Sequence, residues 1–413
     1  MTSTGPGSLR PESGFEEPPS KQGRVTWAQR WHRVRLIPFI LLLVCALIAV
    51  ISGRITQQSL AAADALPPEQ GPASAAFALP QETCAPTLAN PVTGNPWSAE
   101  NADASEAAFE ENMGALPAGG HSYVEGNDDW VFWGDEQANN FSQALGRSYL
   151  GQEEAEEWAS YFRTVQAQLA QQGTDLIIQV VPADWAVLPE ELPGWAQELR
   201  GPTNLDHLHD AYPDLPIMDT RQPLRDAAVD GDVYAKRNSH WTPFGGAVGW
   251  ATLADCLGSV DAKYEPLAPL DFSELEPVVV SSEFEAFGLP SLDVPTMIPS
   301  LEASASPMSV SFADGSTEEM TTNVGLDMLL LPATTVTESP QSDLKALVLR
   351  DSQGSNIAAG WQAGFASTKQ IRHSFDDPNA RVDVLGEAAE FQPDVVIYEI
   401  TERHLNFVPV LPE

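Results

Sequence analysis

Three stretches constrain this chain most. Asp175-Leu-Ile-Ile-Gln-Val-Val181, Lys345-Ala-Leu-Val-Leu-Arg350 and Asp394-Val-Val-Ile-Tyr-Glu-Ile400 are apolar at nearly consecutive positions rather than alternate ones. A strand with one wet face alternates, so such runs suit strands covered on both faces, as in a parallel sheet. Glu153 to Gln172 has helical spacing (Trp158, Phe162, Val165, Leu169), and Gly173 suits its end. Asp129 to Trp133 reads as a short strand and Leu215 to Met218 as a weaker one. Strands alternating with helices imply an α/β fold with a parallel sheet and flanking helices. Residues 262–342 break this pattern. They are rich in Pro, Ser, Val and Thr and predict an irregular or β-rich insertion of low helix content.

Not all of the 413 residues belong to that globule. Leu36 to Gly53 is uncharged and nearly all apolar, and about 18 such residues span a ~30 Å hydrocarbon core. Lys21, Arg24, Arg30, Arg33 and Arg35 precede it, and no acid lies between Glu17 and Asp64. The positive-inside bias puts residues 1–35 in the cytoplasm and the rest outside, a single-pass protein of the cell membrane. Ala61-Ala-Ala-Asp-Ala65 is the rival reading, a cleavage site that would release the domain. Residues 1–20 carry the composition of a disordered tail. Residues 54–99, rich in Ala, Pro and Gln at first, read as an extracytoplasmic linker, and the globular domain is expected over 100–413.

The net charge of −37 would repel nucleic acid and anionic membrane surfaces. Of the three cysteines, Cys45 lies in the apolar span. Cys84 and Cys256 are both exported and are candidates for a disulfide, two free thiols being the alternative. No cofactor is expected. Asp206-His-Leu-His-Asp210 has metal-like composition, but it reads as a solvated acidic loop with no further ligands nearby, and no metal site is assigned.

Two motifs carry chemistry. In Tyr234-Ala-Lys-Arg-Asn-Ser-His240-Trp-Thr242-Pro243, the histidine closes an extended segment just before a helix. Thr242 is the expected N-cap and Pro243 the first helical residue. The small, apolar run from Gly245 to Leu257 makes that helix a buried one. A histidine fixed this way suits a general base. In Arg350-Asp351-Ser352-Gln353-Gly354, a serine follows a strand, where open α/β sheets bind ligands, and turn N–H groups at Gln353 and Gly354 are candidate oxyanion donors. Asn238 is placed to orient the imidazole as the third member of a triad does. Each motif has a plainer reading: a helix cap for Ser352, a hydrogen-bonded core histidine for His240, a turn residue for Asn238.

Taken in order, Trp130-Val-Phe-Trp133, Val180-Val-Pro-Ala-Asp-Trp-Ala-Val-Leu-Pro189, His240-Trp-Thr, Asp351-Ser352 and Pro393-Asp-Val-Val-Ile-Tyr-Glu-Ile-Thr-Glu-Arg403 resemble the SGNH-hydrolase-like domain of the alginate O-acetyltransferase family, the AlgJ/AlgX type. The resemblance covers roughly 125–260 and 340–408. It implies an SGNH-like (flavodoxin-like) fold with Ser352 as nucleophile and His240 as its base. It also implies acetyl transfer to an extracytoplasmic polysaccharide, with a multi-pass membrane O-acyltransferase as donor partner. Arg403, after the last strand, is a candidate for substrate or oxyanion binding.

The chain departs from the family twice. Arg350 stands where the family has glycine, and Asn238 stands where it has aspartate in Asp-x-His-Trp. The amide for carboxylate change costs ~10⁴ in turnover in a serine protease. Asn238 therefore favours the competing reading, a glycan-binding scaffold of the same fold using tryptophans such as Trp130, Trp133, Trp185, Trp195 and Trp241. An acetyl esterase would use the same residues as the transferase. Were another carboxylate to occupy the triad position from elsewhere in the fold, a charge added at 238 would help little or hurt by repulsion.

Overall fold

The computed structural model describes residues 79–409, apart from 273, 303–304 and 374–381. The expected membrane span 36–53 lies outside them, as does most of the expected linker. Among the described residues no helix is long and apolar enough to cross a membrane.

The centre is an eight-stranded sheet in the order Thr317–Thr321, Pro307–Phe312, Ala333–Thr337, Phe365–Arg372, Ser342–Arg350, Val395–Thr401, Asp175–Val181, Ile217–Asp219. The last five are mutually parallel. The first three run antiparallel and extend one edge. The sheet is therefore mixed, where the sequence predicts a parallel one. The correction comes from the β-rich stretch, part of which joins the sheet rather than standing apart. Its strands are short and half wet, so their alternation carries no sign of the sheet they join.

Both faces of the parallel strands are covered, and the side chains sort with period two. Ile177, Val181, Ala346, Val348, Val395 and Ile397 enter one core with the helices Pro243–Val260 and Gly354–Gly364. Leu176, Ile178, Val180, Leu347, Leu349, Val396, Tyr398 and Ile400 enter the other with the helices Gln152–Gln171 and Val384–Phe391. There Trp158 stacks on Phe162 at 5.0 Å, and Tyr398 meets Phe162 edge-on at 5.1 Å.

The helix Pro243–Val260 begins as its sequence predicts, with Thr242 Oγ1 accepting from the Gly245 amide. It lies so close to Gly354–Gly364 that a Cβ on Gly246 would sit 2.1 Å from the Asn356 carbonyl oxygen. This contact brings the start of one helix beside the start of the other. The histidine precedes the first and the serine precedes the second.

The chain from 79 to 99, read as linker, is docked on the domain. Cys84 and Cys256 are joined, with Cα atoms 4.8 Å apart, and Trp97 Nε1 donates to the carbonyls of Leu145 and Leu199. A cross-link between residues 172 apart removes much freedom from the unfolded chain. Replacing both cysteines by serine is expected to cost about 2–5 kcal/mol, read as a lower denaturant midpoint. An unchanged midpoint would show that the docked arm contributes nothing to stability.

Candidate active site

His240 lies on the short strand Asn238–Trp241, which pairs with Tyr234–Ala235. Ser352 lies just past the end of the strand Ser342–Arg350, at the carboxyl edge of the parallel sheet. The two side chains meet there: His240 Nε2 is 2.9 Å from Ser352 Oγ. Both residues are half-buried, so the pair is held by protein yet open to a ligand.

Four hydrogen bonds fix the two segments to each other. Gln353 Oε1 accepts from the Trp241 amide at 3.1 Å, and Gln353 Nε2 donates to the Ser239 carbonyl at 2.8 Å. The Trp241 indole donates to the Gln353 carbonyl at 2.9 Å, and Asn356 Nδ2 donates to the Trp241 carbonyl. This corrects the reading of Gln353 as an oxyanion donor. Its side chain is engaged at both ends, and its backbone N–H donates to Asp351 Oδ1 at 2.9 Å. Gly354 is small for a packing reason, since a Cβ there would lie 2.3 Å from Arg350 Cδ.

Arg350 itself points inward. It is fully buried and donates to the Leu326 carbonyl and, at 3.1 Å, to Ser355 Oγ. It braces the turn that carries Ser352. Asp351 is also structural: its Oδ2 accepts from the Thr401 amide and hydroxyl at 2.9 and 2.6 Å and lies 2.9 Å from His404 Nδ1. Burial pushes the Asp351 carboxyl up, but these donors win and hold it well below the usual range. Glu399, whose Oε2 accepts from the Asp351 amide, is pushed far up by burial and by the Asp351 charge.

Arg403 lies beneath the histidine strand, 4% exposed, with Nη1 3.5 Å from Ser239 Oγ. Among the described residues no recorded contact joins it to Ser352. The His-x-His segment is helix Asn204–Ala211 rather than loop, its start closed by a capping box at Thr203. Residues two apart diverge on a helix. His207 accordingly meets Tyr149 at 4.8 Å while His209 faces Asp219 at 3.9 Å. Trp185 and Trp241 are buried, which removes them as sugar platforms.

The sequence reading missed Glu283. Its Oε1 lies 2.6 Å from His240 Nδ1, closer than Asn238 Oδ1 at 3.1 Å. Its Oε2 accepts from the Ser239 amide at 2.9 Å, the Ser239 hydroxyl at 2.8 Å and the Trp133 indole at 3.1 Å. Nothing local marks this acid among its neighbours in Ser281-Ser-Glu-Phe-Glu285. The only hint is the flanking pair Phe284 and Phe287, which seat the segment on Trp133 and Tyr123 at 4.6 to 6.4 Å.

Burial alone would raise the Glu283 carboxyl. The hydrogen bond and charge of His240, with the Ser239 donors, outweigh it and hold the group at about 2, against 4.5 ordinarily. A depressed carboxyl adds stability that is full above its unfolded value and is lost as pH falls toward its folded one. Roughly 3 kcal/mol of linkage is expected between pH 4.5 and about 2. Glu283→Gln should flatten the acid limb of the stability curve in that window. An acid limb identical to wild type would contradict the assignment.

Comparison with known proteins now bears on this arrangement. Residues 123–281 match the family model described as SGNH hydrolase-like domain, acetyltransferase AlgX. The probable alginate O-acetylase AlgJ of Pseudomonas putida is 28% identical over 139 residues, 32% of this chain, so the match spans only 33% of that relative. Among solved structures, Bacillus cereus PatB1 with a sulfonyl adduct is similar at TM-score 0.50 and 12% identity, over 68% of this chain and 95% of that one. The O-acetyltransferase domain of Pseudomonas putida AlgJ aligns at TM-score 0.40 and 18% identity, over 70% and 94%. Ser352 and Glu283 both lie beyond the stretch that the family model matches. Over residues 123–281 this chain is similar to the SGNH hydrolase-like domain of the AlgX acetyltransferase, and over 139 residues to AlgJ.

Proposed function

We propose that this protein is a membrane-anchored O-acetyltransferase that modifies an exported or cell-surface polysaccharide outside the cytoplasm. The observation that carries the proposal is the 2.9 Å contact between His240 Nε2 and Ser352 Oγ at the carboxyl edge of the parallel strands. Ser352 Oγ attacks the carbonyl carbon of an acetyl ester while His240 Nε2 takes its proton. The new C–O bond forms, the donor C–O bond breaks, and the leaving oxygen receives the proton from His240. In the second half a sugar hydroxyl loses its proton to His240 and takes the acetyl group, and Ser352 regains its hydrogen. Among the described residues none accepts from the Ser352 amide, which leaves that N–H for the developing oxyanion.

The AlgX acetyltransferase model and the AlgJ relative support the acetyl-transfer chemistry. The apolar, uncharged 36–53 segment and the basic residues before it support the anchored topology. The multi-pass O-acyltransferase partner follows from the resemblance and supplies acetyl groups from the cytoplasmic side. The scaffold reading rested on the amide at 238, and a carboxylate beside His240 Nδ1 weakens that ground.

A sulfonyl fluoride should label Ser352 alone in wild type, by peptide mass mapping, and His240→Ala should slow labelling by ~10²-fold or more. Ser352→Ala should abolish acetyl-ester release and transfer to polysaccharide. Ester turnover that survives Ser352→Ala would remove the proposed nucleophile. For the topology, protease added to intact wall-stripped cells should degrade the C-terminal domain, and protection until lysis would contradict it.

A further inference from the structure

We infer that Glu283 is the positioning carboxylate of this site, and that Asn238 holds the family's acid position as a neutral clamp. The inference rests on the reading of Ser352 and His240 as nucleophile and base. It adds where the third partner comes from: the segment after the helix Pro243–Val260, rather than the strand that carries the histidine.

The geometry separates the two neighbours of His240 Nδ1. A charge-assisted N–H to carboxylate bond is shorter and roughly twice as strong as a neutral one. Glu283 Oε1 stands at 2.6 Å as the ion-pair partner of Nδ1, while Asn238 Oδ1 at 3.1 Å is its hydrogen-bond acceptor. The other Glu283 oxygen takes three donors from Ser239 and Trp133, so the carboxylate is oriented and stays ionised. The Glu283 amide donates to the Arg237 carbonyl at 2.9 Å, which ties this segment to the histidine hairpin. Asn238 does other work. Its Oδ1 accepts from the His240 amide at 2.9 Å, and its Nδ2 donates to the Ser281 carbonyl at 3.1 Å.

An aspartate at 238 would lose that second donor and turn a carboxylate oxygen toward the Ser281 carbonyl. It would also set a second negative charge on the same imidazole nitrogen. Asparagine is thus the residue that tolerates Glu283. The other charged groups close by are buried Asp184, which feels the Glu283 charge, and Arg403, which reaches Ser239.

The consequence is a change of sign. In the wild-type background Asn238→Asp lowers acetyl-ester turnover. In the Glu283→Gln background it restores turnover, because it returns the missing charge to Nδ1. The test measures kcat and KM for release of a nitrophenyl acetate by the full chain and its Glu283→Gln, Asn238→Asp and doubly substituted variants. Glu283→Gln should lower kcat by ~10²- to 10⁴-fold with KM little changed, and the double variant should regain at least ~10-fold over Glu283→Gln.

NMR of the His240 Nδ1 proton is the second readout, and it does not depend on turnover. A charge-assisted bond moves such a proton downfield, so Glu283→Gln should move its resonance upfield, and Asn238→Ala should move it less. Glu283→Gln with near wild-type kcat and an unmoved Nδ1 resonance would overturn the inference. So would Asn238→Asp raising wild-type turnover as much as it raises that of Glu283→Gln. A wild-type protein without ester turnover would instead sink the transferase reading, and the Nδ1 resonance would still decide the role of Glu283.

Discussion

Everything at this site depends on the buried union of Trp241 and Gln353. Two segments 112 residues apart are tied by a side-chain amide that satisfies a backbone N–H with its oxygen and a backbone carbonyl with its nitrogen. An indole donor and Asn356 complete the seam. The Trp241, Gln353 and Ser239 groups of this seam are buried, and an unpaired buried donor or acceptor costs about 1–3 kcal/mol. Sliding one segment past the other would break several of them together. The 2.9 Å contact of His240 with Ser352 is a consequence of this seam. The close approach of the two helices at Gly246 supplies the rest of its rigidity.

A second layer of polar contacts holds the Ser352 turn from below. Asp351 takes donors from Thr401 and Gln353 and meets His404, which hold its carboxyl low, while burial and the Asp351 charge push Glu399 up beside it. Two carboxyl groups this close cannot both be charged cheaply, and the environment pushes them in opposite directions. Arg350 belongs to this layer. Glycine at that position would leave the turn unbraced, whereas the arginine ties it to Leu326 and Ser355. The arginine at 350 therefore bears on the scaffold of the turn and leaves the His240–Ser352 contact itself untouched.

The β-rich region after the helix Pro243–Val260 plays two parts. Its later strands lengthen the sheet, while 281–287 folds over the histidine hairpin and delivers Glu283. Aromatic contacts do the seating, with Phe284 fully buried against Trp133. The carboxylate that orients the imidazole thus reaches it from a segment with no sequence proximity to either reacting residue.

The sequence by itself determined the parts whose signal is local. The apolar runs at 175–181, 345–350 and 394–400 mark strands buried on both faces, because burial on both faces removes alternation. Thr242-Pro243 marks a helix start, because capping depends on adjacent residues. Ordered short motifs singled out Ser352 and His240, whose side chains lie 2.9 Å apart. Tertiary structure alone decided what depends on distant partners. It turned the side chains of Gln353 and Arg350 inward, put the His207 and His209 segment on a helix, and added antiparallel strands to the sheet. Above all it brought Glu283 to Nδ1 of His240. A single acid in a polar stretch looks like any solvated charge. Only the chain's path in space, set by aromatic packing far from the motifs, gives it a partner.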